Sequence, residues 1–243
     1  MEARKLMVFI PAFNEEESIE SVIRSVREAL PAADILVVDD GSTDRTAYLA
    51  RAAGARVASL PFNQGVGAAH QTAYMYAVRS GYGICGQIDG DGQHPASEMA
   101  KLVGEVEAGK ANLAGGTRFS DGGDWSGSKL RRLGQKVFGR MVSISTGQRF
   151  TDTTSGMRAL DRRAMILFTR RYSPEFAEVE SLQQAVRAGL KVVEVPVSMN
   201  ARQGGTSFIT PLVSLFYIFK TVVVLTVNHL RPAETIPEIE QGE

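Results

Sequence analysis

Three apolar runs, each ending in a polar or acidic cluster, constrain this chain more than any other feature. Lys5 to Pro11 carries Leu-Met-Val-Phe-Ile and runs into Ala12-Phe13-Asn14-Glu15. Ile35 to Val38 ends in Asp39-Asp40-Gly41-Ser42, and Ile84 to Ile88 ends in Asp89-Gly90-Asp91-Gly92-Gln93-His94. Continuous apolar runs of this length are the signature of strands buried on both faces of a parallel sheet. Segments of helical period separate them. Ile19, Val22, Ile23 and Val26 share one face behind a candidate N-cap at Asn14, Thr43 or Asp44 caps the next helix, and Gly65–Arg79 and Ala96–Ala108 supply two more. With short strands over Arg56–Ser59 and Ala111–Gly115, the pattern predicts an α/β fold, a mostly parallel sheet with right-handed crossovers flanked by helices. The first 115 residues read as a nucleotide-binding half.

In such sheets ligands bind beyond the carboxyl ends of the strands, where all three polar clusters fall. Asp89 and Asp91, two apart with Gly90 between, can turn to one side of a tight bend and share a hard divalent cation, Mg²⁺ or Mn²⁺, with Gln93 as a neutral oxygen ligand. A lone Asp-x-Asp is an ordinary turn; its coincidence with two further polar strand ends gives it weight. His94 either joins this loop's chemistry or is structural. Cys85, the single cysteine, sits inside an apolar strand and reads as core, which leaves no intramolecular disulfide and no four-cysteine zinc site. His70 and His229 have no partners by spacing. No G-x-G-x-x-G follows the first strand, and the P-loop and G-x-S-x-G elbow are missing as well, which disfavours a dinucleotide fold, a P-loop NTPase and an α/β-hydrolase.

Hydrophobic residues at 44% and charged residues at 22% exclude a disordered, a collagen-like or a polytopic membrane chain. The apolar stretch near Met1 is short and interrupted by Pro11, unlike a signal peptide, and points to the cytoplasm or its membrane face. A net charge of zero hides an asymmetry. Ser128 to Arg171 holds eleven Lys/Arg against two acids, a local +9 balanced by −9 elsewhere. Leu130, Leu133, Val137, Phe138, Met141 and Val142 interleave with the basic residues at helical spacing, which suits a helix at a membrane interface or one packed on a core. A nucleic-acid surface would need interleaved aromatics and a recognisable module, and neither is present.

The motifs carry a family resemblance. Val8-Phe-Ile-Pro-Ala-Phe-Asn-Glu-Glu16, Val37-Val-Asp-Asp-Gly-Ser-Thr-Asp44, Asp89-Gly-Asp-Gly-Gln-His-Pro95 and Thr154-Ser-Gly-Met-Arg158 resemble, in order, the family 2 glycosyltransferases, most closely the dolichyl-phosphate mannose synthase-like or polyprenyl-phosphate glycosyltransferase group. The resemblance implies a GT-A fold over residues 1–206, divided into a nucleotide-binding half (1–115) and an acceptor half with basic interface helices (116–206). It implies inverting transfer of a sugar from GDP-mannose or a UDP-sugar to a polyprenyl phosphate at the cytoplasmic membrane face. By position, Pro11, Ala12, Phe13, Glu15, Asp39 and Asp40 would hold base and ribose. Asp89 and Gly90 would complete the nucleotide set, and Asp89, Asp91 and Gln93 would hold the metal. Asp91, Arg118 and Arg158 would be catalytic, and Arg118, Arg132, Arg158, Arg202 and Ser207 would bind phosphates of donor or acceptor. Gly90 stands where the family usually has alanine, and Phe208 where lysine often follows the loop serine.

The acceptor half is expected to contain a Gly/Ser/Asp-rich loop over Phe119–Ser128 with the single Trp125, a helix over Glu178–Ala188 and a strand over Leu190–Val197. Phe208–Val227 is long enough to span a bilayer core as a helix, yet Lys220 lies near its middle, at a cost of roughly 2.5–3.5 kcal/mol on insertion scales. An interface-lying helix, or one covered by a membrane-protein partner or a second copy, is therefore favoured over a span. The tail from Arg231 reads as disordered. Two other functions compete: a family 2 transferase with a soluble or glycan acceptor, using Glu178 or Glu180 as general base, and a non-catalytic nucleotide-sugar-binding scaffold for a membrane partner.

Overall fold

The computed structural model describes residues 5–119, 129–173, 177–198 and 211–232, without the side chains of 129–136 and 211–218. Strands β1 (Leu6–Ala12), β2 (Asp34–Asp39), β3 (Arg56–Ser59), β4 (Ile84–Gln87), β5 (Leu113–Thr117), β6 (Arg158–Asp161) and β7 (Val192–Pro196) form one sheet in the order β3-β2-β1-β4-β6-β5-β7. All neighbours pair in parallel except β6, which runs antiparallel to both β4 and β5. The mostly parallel α/β sheet read from the sequence is therefore present, with one reversed strand inserted.

Strand alternation divides the core in two. Met7, Phe9, Leu36 and Val38 face one side, and Val8, Ile10, Ile35 and Val37 the other. The second side is covered by α1 (Ile19–Ala29), α2 (Thr46–Ala52) and α4 (Ala96–Glu107). The first is covered by α3 (Val66–Arg79), α5 (Lys129–Thr146), α6 (Arg162–Arg170), α7 (Ala177–Arg187) and, through Leu225, α8 (Pro211–Leu230).

Strand β6 and helix α6 were not legible. Met157-Arg-Ala-Leu-Asp161 offers only two apolar residues between charges and reads as part of the basic stretch. Its strand character comes from pairing on both edges, where Cys85 faces Leu160 and Ala114 faces Ala159. Asn14 is also not the N-cap of α1. It adopts a left-handed φ of 55° and spends its polar groups across the sheet edge, while α1 begins at Ile19 after two backbone bonds to the Glu15 carbonyl. Asp44 does receive the Thr46 amide at 2.9 Å, at the start of α2.

Helix α8 is inverted in polarity. Thr221 and Asn228 are buried, whereas Phe219 (66% exposed), Val223, Val227 and Leu230 form an outward apolar stripe at helical spacing. Its inner face is tied by Asn228 Nδ2 donating to Glu180 Oε1 (2.6 Å), Arg171 Nη2 donating to Asn228 Oδ1 (2.8 Å), and Gln183 Nε2 donating to the Leu225 carbonyl (3.0 Å). Among the described residues no helix is long and apolar enough to cross a membrane.

Candidate active site

The chain reverses its strand order on either side of β1, between β2 and β4, and a cleft opens there beyond the strand carboxyl ends. Its volume is about 400 Å³, and its lining includes Pro11, Ala12, Phe13, Glu15, Asp40, Asp89, Gly90, Asp91 and Glu178. A second cleft, of about 30 Å³ between α6, α7 and α8, is far too small for a nucleotide sugar.

The rim is locked by the polar strand ends themselves. Asn14 N donates to Ser42 Oγ (3.0 Å), and the Thr43 amide donates back to Asn14 Oδ1 (2.9 Å). Glu15 N donates to Thr46 Oγ1 (2.8 Å), and Ser18 Oγ joins Glu15 Oε2 (2.9 Å) to the Gly90 carbonyl (2.7 Å). The three loops therefore form one frame. Asp39 serves this frame rather than the cleft, since its Oδ1 accepts the Ser42 amide. Asp40 lines the cleft, but both its oxygens accept backbone amides, of Gln64 (2.8 Å) and Gly65 (2.9 Å), at the start of α3. In this structure it shapes the cleft wall through that loop.

Asp89 and Asp91 face the cleft on either side of Gly90, and Asp91 Oδ1 accepts the Gln93 amide at 3.0 Å. The Gln93 side chain is not among the lining groups, which departs from the three-ligand expectation. Among the described residues no three His, Cys, Asp or Glu side chains cluster as a self-sufficient metal site. Two carboxylates beside an open cleft nevertheless suit a hard cation that completes its shell with phosphate oxygens and water, so the donor set fits Mg²⁺ or Mn²⁺. Asp89 is held from behind. His94 Nε2 stands 3.4 Å from its Oδ2, and a Cβ built on Gly156 would fall 2.6 Å from its Oδ1. Burial works to raise the Asp89 pKa, but the hydrogen bond from His94 and the electrostatic surroundings, Arg158 among them, outweigh it and hold it below the ordinary value.

Two of the four arginines expected to touch phosphate, Arg118 and Arg158, do not line the cleft. Arg158 is 2% exposed, and its guanidinium donates to the Ser155 carbonyl (3.3 Å), Ser181 Oγ (2.5 Å) and the Glu178 carbonyl (2.6 Å). It bolts the first turn of α7 to β6. Arg118 makes a bidentate pair with buried Asp152, at 2.6 and 2.7 Å, and also donates to Thr154 Oγ1. Asp152 is itself fixed, its amide donating to Glu194 Oε1 of β7. The family resemblance marked both arginines but could not show that they hold internal partners. Arg202 and Ser207, like Trp125, lie outside the described residues. Arg132 sits on α5, but its side chain is outside them as well.

The structure also separates the two glutamates proposed as bases. Glu178 lines the cleft, whereas Glu180 is 6% exposed and holds Gln184 and Asn228, anchoring α8. Gly156, quoted only as part of the Thr154–Arg158 motif, and Ser181 were given no role from sequence. Neither residue type announces a site, and only the contacts reveal them.

The profile described as glycosyl transferase family 2 matches residues 7–167, two thirds of the chain and all of the frame just described. The chain belongs to this family. The polyprenol monophosphomannose synthase of Mycolicibacterium smegmatis is 32% identical over 84% of this family 2 chain and 80% of its own length. The undecaprenyl-phosphate mannosyltransferase of Micrococcus luteus is 29% identical, over 84% of this chain and 86% of that protein. The dolichyl-phosphate hexose transferase of Haloferax volcanii is 30% identical, over 83% and 85%. The crystal structure of glucosyl-3-phosphoglycerate synthase from Mycobacterium tuberculosis, in complex with Mn²⁺, UDP and phosphoglyceric acid, superposes with a TM-score of 0.71 at 24% identity. It covers 96% of this chain and 80% of that one, and shows that the two share the GT-A type of fold.

Proposed function

We propose that this family 2 glycosyltransferase moves a hexose, mannose or a glucose-type sugar, from a nucleotide-sugar donor to a polyprenyl phosphate at the cytoplasmic face of a membrane. The observation that carries the reading is the paired Asp89 and Asp91 on a nucleotide-sized cleft framed by three interlocked strand ends. The relatives' polyprenyl-phosphate chemistry supplies the acceptor class, and the outward apolar stripe of α8 beside a basic region suits a membrane surface.

The chemistry follows from the charges. A lipid phosphate is already an anionic nucleophile, so no strong general base is required. One of its oxygens bonds to the anomeric carbon from the face opposite the leaving diphosphate, and the configuration inverts. Pro11, Ala12 and Phe13 would wall the nucleotide, with Asp40 shaping the adjoining loop. Asp89 and Asp91 would hold Mg²⁺ or Mn²⁺, which when bound supplies Lewis-acid stabilisation of the departing diphosphate. Arg158 acts through position, fixing the α7 turn against β6, and orientation of this kind lowers barriers substantially.

A soluble-acceptor transferase is the second reading, favoured by the cleft position of Glu178, where a base could sit. Calorimetry with GDP-mannose, UDP-glucose and UDP-GlcNAc, with and without Mn²⁺, followed by transfer to a polyprenyl phosphate, tests the first reading. Metal-dependent binding of one donor, lost in Asp91→Ala, with product on the lipid is the expected result. Donor binding without any lipid product would overturn it in favour of another acceptor or a scaffold role.

A further inference from the structure

One carboxylate in the cleft has no part in the mechanism above. Glu178 lies in the first turn of α7 and lines the same cavity as Asp89 and Asp91. It does not complete a three-residue cation site with them. Its backbone carbonyl is gripped by Arg158 Nη2 (2.6 Å) and Ser181 Oγ (3.0 Å), so the residue is fixed, while among the described residues no other side chain hydrogen-bonds its carboxylate. Among the described residues only its own backbone amide bonds the carboxylate, which leaves further lone pairs of a fixed acceptor facing the cleft.

The chemistry of a ligand for those lone pairs can be narrowed. Diphosphate and lipid phosphate are anions and would be repelled. A nucleophile that is already ionised leaves a base nothing to remove. The donor's remaining part, the hexose, is neutral and rich in O–H donors. It must lie between the diphosphate at Asp89 and Asp91 and the incoming acceptor. A carboxylate can accept two hydroxyl bonds at once, and charged acceptors make the stronger bonds.

We propose that Glu178 is a sugar-reading residue, accepting hydrogen bonds from hydroxyls of the donor hexose and so setting which nucleotide sugar is used. The inference rests on the glycosyl-transfer reading and deepens it.

The test compares wild type, Glu178→Gln and Glu178→Ala by calorimetry in Mn²⁺, with GDP and UDP alone and then with their hexose conjugates. The variants should bind the nucleoside diphosphates as wild type does. Glu178→Ala should bind the preferred nucleotide sugar about 10- to 100-fold more weakly, the factor expected for bonds to a charged group, and Glu178→Gln should lose less. A deoxy-sugar donor lacking the contacted hydroxyl should bind wild type more weakly and Glu178→Ala no worse than the full sugar. Equal loss for diphosphate and conjugate would overturn the inference in favour of a structural or cation role. Intact sugar binding with abolished turnover, and loss of the acid limb of the pH–rate profile, would overturn it in favour of a general base. Failure of wild type to bind any nucleotide sugar would overturn the glycosyl-transfer reading itself.

Discussion

The Asp89 carboxylate rests on the bare face of Gly156, occupying the space where any side chain there would begin, 2.6 Å from Oδ1. No left-handed backbone demands glycine at this position, so the requirement is one of room alone. Gly156→Ala should therefore push the carboxylate away from Asp91 and weaken Mn²⁺-dependent donor binding on the order of 100-fold, the penalty of a misplacement near 1 Å. Gly116→Ala is the matched control. Its Cβ would press on Val197 Cγ2 at 2.9 Å instead, and should cost stability without touching metal dependence. Binding isotherms paired with thermal melts separate the two outcomes.

Asp91→Ala removes one of the two carboxylates directly. Turnover should fall on the order of 100-fold or more, the usual result of deleting one stabilising group at a developing charge. Added Mn²⁺ should restore little, because its ligand is gone. A titration of initial rate against Mn²⁺ in wild type and variant checks this.

The Arg118–Asp152 pair is a stability device as the structure draws it. Both side chains are inside, 8% and 0% exposed. Asp152→Ala strands a buried guanidinium and should cost about 3–5 kcal/mol, read as a lower guanidinium-chloride midpoint. Asp152→Asn keeps an acceptor and should cost less.

His70 makes stability pH-dependent. Burial drives its pKa down from 6.5 to about 3, with the nearby Arg158 charge adding to the effect and Asp89 opposing it. The folded state therefore refuses a proton that the unfolded chain accepts. Its contribution is fully present above pH 6.5 and is lost as pH falls from there towards 3, with a slope approaching about 1.4 kcal/mol per pH unit. His70→Phe, which fits the aromatic neighbours Phe9 and Tyr172, should flatten that slope at the cost of the Tyr172 hydrogen bond. Urea unfolding at pH 7, 6, 5 and 4.5 measures it.

The α8 stripe gives a prediction with the opposite profile. Phe219 and Val223 are exposed, so replacing both with glutamate should leave the melting temperature nearly unchanged. Partitioning onto anionic phosphatidylglycerol vesicles should drop sharply, since each apolar side chain inserted contributes about 1.5–3 kcal/mol. Unchanged partitioning would remove α8 from the membrane contact.

The sheet and the mouth of the cleft could be read from residue pattern because burial on both faces forces long apolar runs, and strand ends must turn in polar residues. Asp89 and Asp91 were legible for that reason. Strand β6 was not, because its pairing partners lie 75 residues back for Leu160–Cys85 and 45 back for Ala159–Ala114, too remote for local periodicity to record. The internal partners of Arg118 and Arg158 were not legible for a related reason. A basic residue in a motif signals a negative partner or a carbonyl, and only the fold says whether that partner is internal.

The reversed direction of β6 has a consequence for how the molecule is made. A parallel strand would bring its last residue to the cleft, but β6 brings its first, so Arg158 pairs with Gln87 and Gly156 arrives just ahead of it. The seat of Asp89 is thus delivered by chain that leaves the ribosome well after Asp89 does. A nascent chain ending beyond β5 can pair β3, β2, β1 and β4, yet its Asp89 has His94 beside it and lacks the Gly156 backing. The seat of Asp89 is in this sense completed late, once the second half has threaded back between β4 and β5.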